Sequence, residues 1–244
     1  MEDDSGLWIF GYGSLCWNPG FEFERSTIGY IRGYGRKFWQ GNSTHRGTVE
    51  KPGRVATLVE DKEGIVYGRA FEVKDSVALP YLEKRECTLG GYRTIISTFH
   101  TRNGKTSFPV IIYTATDQNE HWLGDASLHS IARQIFECVG PSGHNVEYLL
   151  RLADFMHYYL PEIHDEHLFT LEALVRARIK ETNVCLVTLM GNRDYVITID
   201  DHHNDLQDEE RAQDENVRAN NAPRQNSFEY TSRVEQKQLR CIKM

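Results

Sequence analysis

The sequence predicts an α+β fold, a small and mostly antiparallel β-barrel with flanking helices. Three observations lead to this prediction. The first half of the chain holds six short segments rich in β-branched and aromatic residues, with short turns between them. The second half holds three segments in which apolar residues recur with the period of an α-helix. Few helices separate the six strands, which favours antiparallel pairing between chain neighbours over parallel crossovers.

Each predicted strand is bounded by turn residues. In chain order the predicted strands are residues 7–10, 27–40, 54–60, 65–73, 92–101 and 108–116. The first is a short apolar run that closes on glycine, as a buried strand does before a tight turn. Residues 62–64, Lys-Glu-Gly, predict a hairpin between the third and fourth strands, and Asn103-Gly104 predicts one between the fifth and sixth.

The helices are predicted from apolar residues at positions i, i+3, i+4 and i+7. They cover residues 128–139, 145–160 and 165–180, and a shorter helix covers residues 76–86. Gly140-Pro141 ends the first long helix, and Pro161 ends the second. Asn145 is the predicted N-cap of the second, because an asparagine side chain readily accepts a hydrogen bond from the first turn.

The chain divides into three parts. Residues 7–180 are the predicted folded domain, and residues 181–200 could form a docked hairpin extension about Gly191-Asn192. Residues 201–244 are mostly polar or charged. Such a segment cannot bury enough apolar surface to offset the entropy lost on ordering, so we predict a disordered polar tail.

Composition narrows the class of protein. The net charge of −7 disfavours nucleic acid as a partner, and no run of 18 apolar residues is present to span a membrane. The acidic N-terminus, Met-Glu-Asp-Asp-Ser, does not resemble a signal peptide. The five cysteines are scattered and form no Cys-x-x-Cys pair, so neither disulfides nor a zinc site is predicted. We therefore expect a cytosolic protein.

Residues 11–15, Gly-Tyr-Gly-Ser-Leu, are the first candidate site. Glycines on both sides of Tyr12, directly after a buried strand, allow several backbone N–H groups to turn toward one point. Such a nest binds a carboxylate or a developing oxyanion. A plain strand-ending turn would explain the glycines equally well. A dinucleotide fingerprint is excluded, because Cys16 stands where the third glycine would be and no βαβ unit follows.

The second candidate is Glu86, the last carboxylate before a double glycine and the aromatic start of a strand. In a pocket floored by the sheet, burial would raise the pKa of Glu86 toward the range useful for proton transfer. A surface glutamate in a charged run is the alternative. The third candidate is Tyr148, one turn into a predicted helix, whose hydroxyl could reach a ligand; a helix-start sequence alone is the alternative.

Histidine and cysteine chemistry is less well supported. His164 and His167 have the i, i+3 spacing of a metal pair, but Asp165-Glu166 between them is better explained as acidic residues at a helix start. Cys87 is the thiol nearest other polar chemistry, yet no motif places a histidine base beside it. No metal or cofactor is expected.

Five motifs follow one another between residues 7 and 178. They are Phe10-Gly-Tyr-Gly-Ser-Leu15, Phe38-Trp-Gln-Gly41 with His45-Arg-Gly47, Lys51-Pro-Gly-Arg-Val55, Arg85-Glu86 with Gly90-Gly-Tyr92, and Gly140-Pro-Ser-Gly with Asn145 and Glu147-Tyr-Leu149. In order and spacing they resemble the ChaC-type, glutathione-specific γ-glutamylcyclotransferases. The resemblance implies a γ-glutamylcyclotransferase-like barrel with surrounding helices, and cleavage of glutathione to 5-oxoproline and cysteinylglycine.

The resemblance also implies roles for residues. Glu86 would be the catalytic acid and base, residues 11–16 would bind the γ-glutamyl group, and Tyr148 would line the pocket. Glu83 is a rival carboxylate, but it lacks the preceding arginine of the family pattern. Cyclotransfer from other γ-glutamyl amino acids or amines is the alternative activity, and a non-catalytic binding module on the same fold is the alternative class.

Overall fold

The computed structural model describes residues 6–73, 75–88 and 91–191. The predicted tail, 201–244, and most of the second half of the predicted extension lie outside these residues. In the described part of the chain, no helix combines the length and the apolar character needed to cross a bilayer.

Five strands form a closed barrel. They are β1 (Leu7–Gly11), β2 (Arg25–Asn42), β3 (Gly53–Val73), β4 (Arg93–Thr101) and β5 (Ser107–Thr114). Their order around the barrel is β1-β3-β2-β4-β5, and four of the five pairings are antiparallel. The fifth is a parallel contact between Ile9 of β1 and Ile111 of β5, which closes the barrel. The predicted α+β fold, with its mostly antiparallel barrel, is confirmed.

The predicted hairpin at residues 62–64 is wrong. β3 continues through this region, and both of its halves pair with β2. Tyr34 lies opposite Glu60 and Arg32 lies opposite Ile65, so four residues of β3 face the single residue Gly33, whose φ is +85°. The irregularity is a bulge rather than a turn, because the 18-residue β2 is long enough to pair with both halves. Two of the six predicted strands, residues 54–60 and 65–73, are therefore a single strand, β3.

Helices surround the barrel. They are α1 (Asp75–Leu82), which continues as a π-helical turn (Glu83–Thr88), α2 (Leu128–Glu137), α3 (Asn145–Tyr159), α4 (Glu166–Thr182) and α5 (Leu186–Met190). The three long helices agree with the predicted ones to within two residues at each end. Two-residue strands, β6 (Val139–Gly140) and β7 (Gly143–His144), pair between α2 and α3.

The hairpin predicted for residues 181–200 is also wrong where the structure describes it, because α5 occupies the place of its first strand. Leu186, Leu189 and Met190 have the i, i+3, i+4 spacing of a helix face. Leu189 is buried, and Met190 packs against the same core. Leu189 and Met190 are neighbours in the sequence and both contact the core. A helix allows this, whereas neighbouring side chains of a strand point to opposite faces.

The core joins the barrel to α3. Phe10, Phe38 and Phe99 from the strands are almost fully buried in one apolar cluster, which also contains Phe155 of α3. A side chain of this size contributes roughly 1.5–3 kcal/mol to stability when it is fully buried. The N-terminal turn of α3 is thereby fixed beside the end of β1, where the candidate residues lie.

Asn145 holds this position, although not as the predicted N-cap. His144 is the N-cap of α3, since its side chain accepts a hydrogen bond from the Val146 N–H at 3.1 Å. Asn145 is the first helical residue and is fully buried. Its Oδ1 accepts from the Arg54 N–H at 2.6 Å, and its Nδ2 donates to the Arg54 carbonyl at 2.8 Å. The asparagine therefore ties α3 to the backbone of β3.

Candidate active site

A cleft of about 400 Å³ lies where three of the sequence motifs meet. One wall is the loop after β1, a second is the π-helical turn after α1, and a third is the region around the start of α3. The predicted site residues that line it are Gly11, Tyr12, Gly13, Ser14, Leu15, Glu86 and Tyr148. Segments more than 130 residues apart in the sequence are thus brought together.

The loop forms a single 3₁₀ turn, Ser14–Cys16, directly after β1. Its glycines are needed for close packing rather than for a left-handed backbone. A Cβ on Gly11 would lie 2.6 Å from the Leu15 Cβ, and one on Gly13 would lie 2.6 Å from the Tyr148 hydroxyl oxygen. In the part of the chain that the structure describes, the N–H groups of Gly13, Ser14 and Leu15 have no acceptor. These three donors are available to an anion.

Cys16 departs from the sequence prediction. It does not line the cleft: its side chain is fully buried, and its thiol donates to the Gly11 carbonyl at 3.2 Å. Its N–H donates a hydrogen bond to the Gly13 carbonyl at 3.1 Å. Burial raises the pKa of the Cys16 thiol to about 11. The prediction that Cys16 contacts substrate is therefore wrong for its side chain and its amide, because the tight turn directs both toward the protein.

Glu86 lies in the π-helical turn, with only 16% of its side chain exposed. Its Oε1 is 3.1 Å from the Arg85 Nε. Burial raises the pKa of the Glu86 carboxyl, and the adjacent guanidinium opposes that rise. Glu83, the rival carboxylate, is exposed and does not line the cleft. Among the described residues that line the cleft, Glu86 is the one carboxylate.

Arg85 joins the turn that carries Glu86 to the loop after β1. Its Nη2 donates to the Ser14 hydroxyl at 2.8 Å, and its Nη1 donates to the Pro19 carbonyl at 2.7 Å. The sequence alone predicts no role for Arg85. Its place directly before Glu86 in a motif is the signal that points to it.

Three tyrosines, Tyr12, Tyr92 and Tyr148, line the cleft together with Glu86. Burial is the largest effect that raises the pKa of each tyrosine, and the charge of Glu86 raises it further. Tyr12 donates to the Tyr113 carbonyl, and Tyr92 donates to the Ala56 carbonyl at 2.8 Å. Tyr148 instead accepts a hydrogen bond from the Ala56 N–H at 3.2 Å. Because that bond uses the oxygen alone, the Tyr148 hydroxyl proton can be donated into the cleft.

A buried ion pair supports the third wall. The Arg46 Nη1 lies 2.6 Å from the Glu147 Oε2 and donates to the His144 carbonyl at 3.1 Å. Gly143 packs against this pair with φ +115°, and a Cβ there would lie 2.8 Å from the Glu147 Oε2. The motifs around Arg46 and Gly143 are therefore one structural unit. The presence of both motifs is the one feature of the sequence that relates to this pairing.

The histidine of α4, His167, has a structural partner. The His167 Nε2 accepts from the Phe38 N–H at 3.1 Å, and burial is the largest cause that lowers the pKa of His167 to about 4. Asp165 accepts from the Leu168 N–H at 3.0 Å, as expected of a residue at a helix start. Across residues 6–73, 75–88 and 91–191, no three potential metal ligands cluster.

Comparison with known proteins identifies relatives over the same part of the chain. The family model described as ChaC-like protein matches residues 7–178. A Danio rerio protein named glutathione-specific γ-glutamylcyclotransferase 1 is 50% identical over 181 residues, which are 72% of this chain and 92% of that protein. The Homo sapiens protein of the same name is 51% identical over 170 residues, which are 68% of this chain and 77% of that protein.

A solved structure is also similar. It is the crystal structure of a selenomethionine-labelled γ-glutamyl cyclotransferase specific to glutathione, from yeast. The TM-score is 0.65 at 26% sequence identity, and the match covers 71% of this chain and 97% of that one.

Proposed function

Because the chain belongs to the ChaC-like family, we propose that it cleaves glutathione into 5-oxoproline and cysteinylglycine. Relatives at about half identity carry the name glutathione-specific γ-glutamylcyclotransferase, which supports this substrate. The single observation that carries the proposal is the largely buried carboxylate of Glu86, which shares one cleft with the N–H groups of residues 13–15.

The reaction needs mainly a fixed geometry. The substrate's α-amine attacks its own γ-carbonyl carbon, a C–N bond closes the five-membered lactam, and the amide C–N bond to cysteine breaks. Since nucleophile and electrophile belong to one molecule, holding a near-attack conformer supplies much of the acceleration.

Glu86 would move the proton. As a carboxylate it takes a proton from the attacking amine, and as the acid so formed it gives that proton to the departing cysteine nitrogen. Burial raises the pKa of Glu86 toward the range useful for proton transfer, and the guanidinium of Arg85 opposes that rise. Acid and base catalysis of this kind is worth roughly 10²–10⁴-fold in rate.

The remaining donors of the cleft suit the substrate's anionic groups. The N–H groups of Gly13, Ser14 and Leu15 would hold either the α-carboxylate or the oxyanion that develops on the γ-carbonyl oxygen. The Tyr148 hydroxyl is a further donor for the same purpose. An analogue in which an amide replaces the α-carboxylate distinguishes these two roles of the loop. If the analogue binds poorly, the N–H groups of the loop hold the α-carboxylate.

The test of the proposal is product release. Purified full-length protein incubated with glutathione should form 5-oxoproline, measured by liquid chromatography and mass spectrometry. Glu86→Gln should lower kcat by about 10²-fold or more. Glu83→Gln is the matched control, because Glu83 is three residues away, exposed and outside the cleft lining, and it should retain activity within about twofold. A wild-type rate for Glu86→Gln would refute the assignment of the base.

We also propose that the protein acts in the cytosol. The cysteines support this location, because Cys16, Cys87, Cys138 and Cys185 are all free thiols, as is usual in a reducing compartment. Fractionation of cells that express the tagged full-length chain should recover it with cytosolic markers. Recovery with organelle markers would reject the location.

A further inference from the structure

The cleft is more basic than the protein as a whole. The chain carries a net charge of −7, yet Arg46, Lys84 and Arg85 line the cleft together with His45. A concave site lined by one sign of charge concentrates ligands of the opposite sign. The cleft is therefore suited to a ligand with more negative charge than the loop after β1 alone would bind.

Two of these cations are already compensated. Arg46 pairs with Glu147 at 2.6 Å, and Arg85 pairs with Glu86 at 3.1 Å. Lys84 is exposed and forms no ion pair with any residue that the structure describes. Its ammonium group is thus the cleft's uncompensated positive charge.

His45 lines the same cleft as Lys84. Its carbonyl accepts from the Ser142 N–H at 2.9 Å, which fixes its backbone. Its Nδ1 lies 2.8 Å from the Thr44 hydroxyl, and its Nε2 has no partner among the described residues. Burial is the largest effect that lowers the pKa of His45, and the charges of Arg85 and Arg46 lower it further. His45 therefore adds a polar group in a region of positive potential.

We propose that Lys84 and His45 form a second anion subsite, which binds the terminal carboxylate of the peptide that leaves during the reaction. This inference rests on the proposed function. The two anionic ends of a γ-glutamyl dipeptide would then have separate partners, the loop after β1 at one end and this subsite at the other. Arg85 bonds to Ser14 and directly follows Lys84, and Lys84, His45 and the loop after β1 all line one cleft.

The subsite would select among γ-glutamyl compounds. A peptide with a free terminal carboxylate gains a charge-assisted contact, whereas the corresponding terminal amide or a γ-glutamyl amine gains none. Because Lys84 is exposed and water screens its charge, the preference should be moderate.

The experiment compares glutathione with its glycine-carboxamide analogue, using Lys84→Met and the control Lys105→Met. Lys105 is also an exposed lysine, but it lies in the turn between β4 and β5, outside the cleft lining. Lys84→Met should raise KM for glutathione by about threefold to tenfold and change KM for the carboxamide by less than about twofold. His45→Gln should act in the same direction, and Lys105→Met should change neither KM. Retention of the wild-type melting temperature checks that each variant is folded.

The outcomes separate the two hypotheses. Equal effects of Lys84→Met on both substrates, or no effect on either, would overturn the subsite while leaving the proposed function in place. If the wild-type protein releases no 5-oxoproline from either peptide, the proposed function fails. Calorimetric binding of the two peptides to the unmodified protein then decides the subsite. Tighter binding of glutathione that Lys84→Met abolishes supports it, and equal or absent binding overturns it.

Discussion

The Arg85 Nη2 donates to the Ser14 hydroxyl at 2.8 Å across 71 residues of sequence. The same guanidinium lies beside the carboxylate of the next residue, Glu86, at 3.1 Å. One side chain therefore links the loop after β1, proposed to bind an anion, to the group proposed to move the proton. Arg85 therefore contributes both to the position of the loop at Ser14 and to the pKa of Glu86.

Arg85→Met should change the pH profile in a defined direction. The guanidinium lowers the pKa of Glu86 against the larger raising effect of burial, so its removal raises that pKa. The base is active as the carboxylate, which means that activity increases as pH rises through the pKa of Glu86. The acidic limb of kcat/KM against pH should therefore move to higher pH in the variant.

Ser14→Ala is the control for this shift. It removes the hydroxyl that Arg85 contacts and leaves the guanidinium beside Glu86. We expect a lower kcat/KM with an unmoved acidic limb. An acidic limb that stays in place for Arg85→Met as well would show that Arg85 does not set the acidity of the base.

Gly13→Ala should damage the site by a steric route. The added Cβ would lie 2.6 Å from the Tyr148 hydroxyl oxygen, closer than such atoms can approach. Relief of the clash should move the hydroxyl or the loop, cost about 1–3 kcal/mol of stability and raise KM. Gly35→Ala is the matched control, because the nearest atom to its added Cβ is 3.7 Å away.

Removal of the hydroxyl provides a second check on this steric explanation. The double variant Gly13→Ala with Tyr148→Phe lacks the clashing oxygen. Its melting temperature should therefore differ less from that of Tyr148→Phe than the melting temperature of Gly13→Ala differs from that of the wild type. Additive losses in melting temperature, measured by differential scanning fluorimetry, would contradict the predicted clash.

Features that repeat along the chain were the ones the sequence predicted best. The sequence predicts α2, α3 and α4 because apolar residues recur every turn, and this pattern is visible without knowledge of the neighbouring elements. The hairpin predicted from residues 62–64 is wrong, because the structure of this segment depends on a strand elsewhere in the sequence. β2 is long enough to pair with both halves of β3. Register across a sheet is set by the partner strand, which one local segment does not reveal.

The candidate site was predictable to a similar extent. Glu86 and the loop after β1 are predicted because their motifs occur together in the order and spacing of one family, although each motif alone has an ordinary structural explanation. The Arg46 pair with Glu147 spans 101 residues, and no pattern in a single sequence marks two residues as partners. Cys16 illustrates the opposite error: it continues a motif that lines the cleft, but the 3₁₀ turn rotates its side chain into the core.

Asn145→Ala should destabilise the protein more than an ordinary helix-start substitution. Asn145 is fully buried and bonds to both the N–H and the carbonyl of Arg54. Its loss leaves two backbone groups unpaired, which costs about 2–5 kcal/mol in the free energy of unfolding. His144→Asn is the comparison, because asparagine is a favourable N-cap, and it should change stability by less than about 1 kcal/mol. Urea denaturation measures both, and a larger loss for His144→Asn would contradict the assigned roles.

His167 should make the fold sensitive to mild acid. Burial, followed by the nearby charge of Lys37, lowers the pKa of His167 from its ordinary 6.5 to about 4. Between these values the unfolded chain binds a proton that the folded chain does not, so stability is complete above pH 6.5 and falls as pH decreases toward 4. Protonation would also end the hydrogen bond that the ring accepts from the Phe38 N–H.

His167→Gln keeps an acceptor for that N–H and removes the titrating ring. Its melting temperature should therefore fall less than that of the wild type between pH 7 and pH 4.5. His129→Gln changes an exposed histidine on α2 and should follow the wild-type curve. If all three proteins lose stability in parallel over this range, the acid sensitivity arises from groups other than His167.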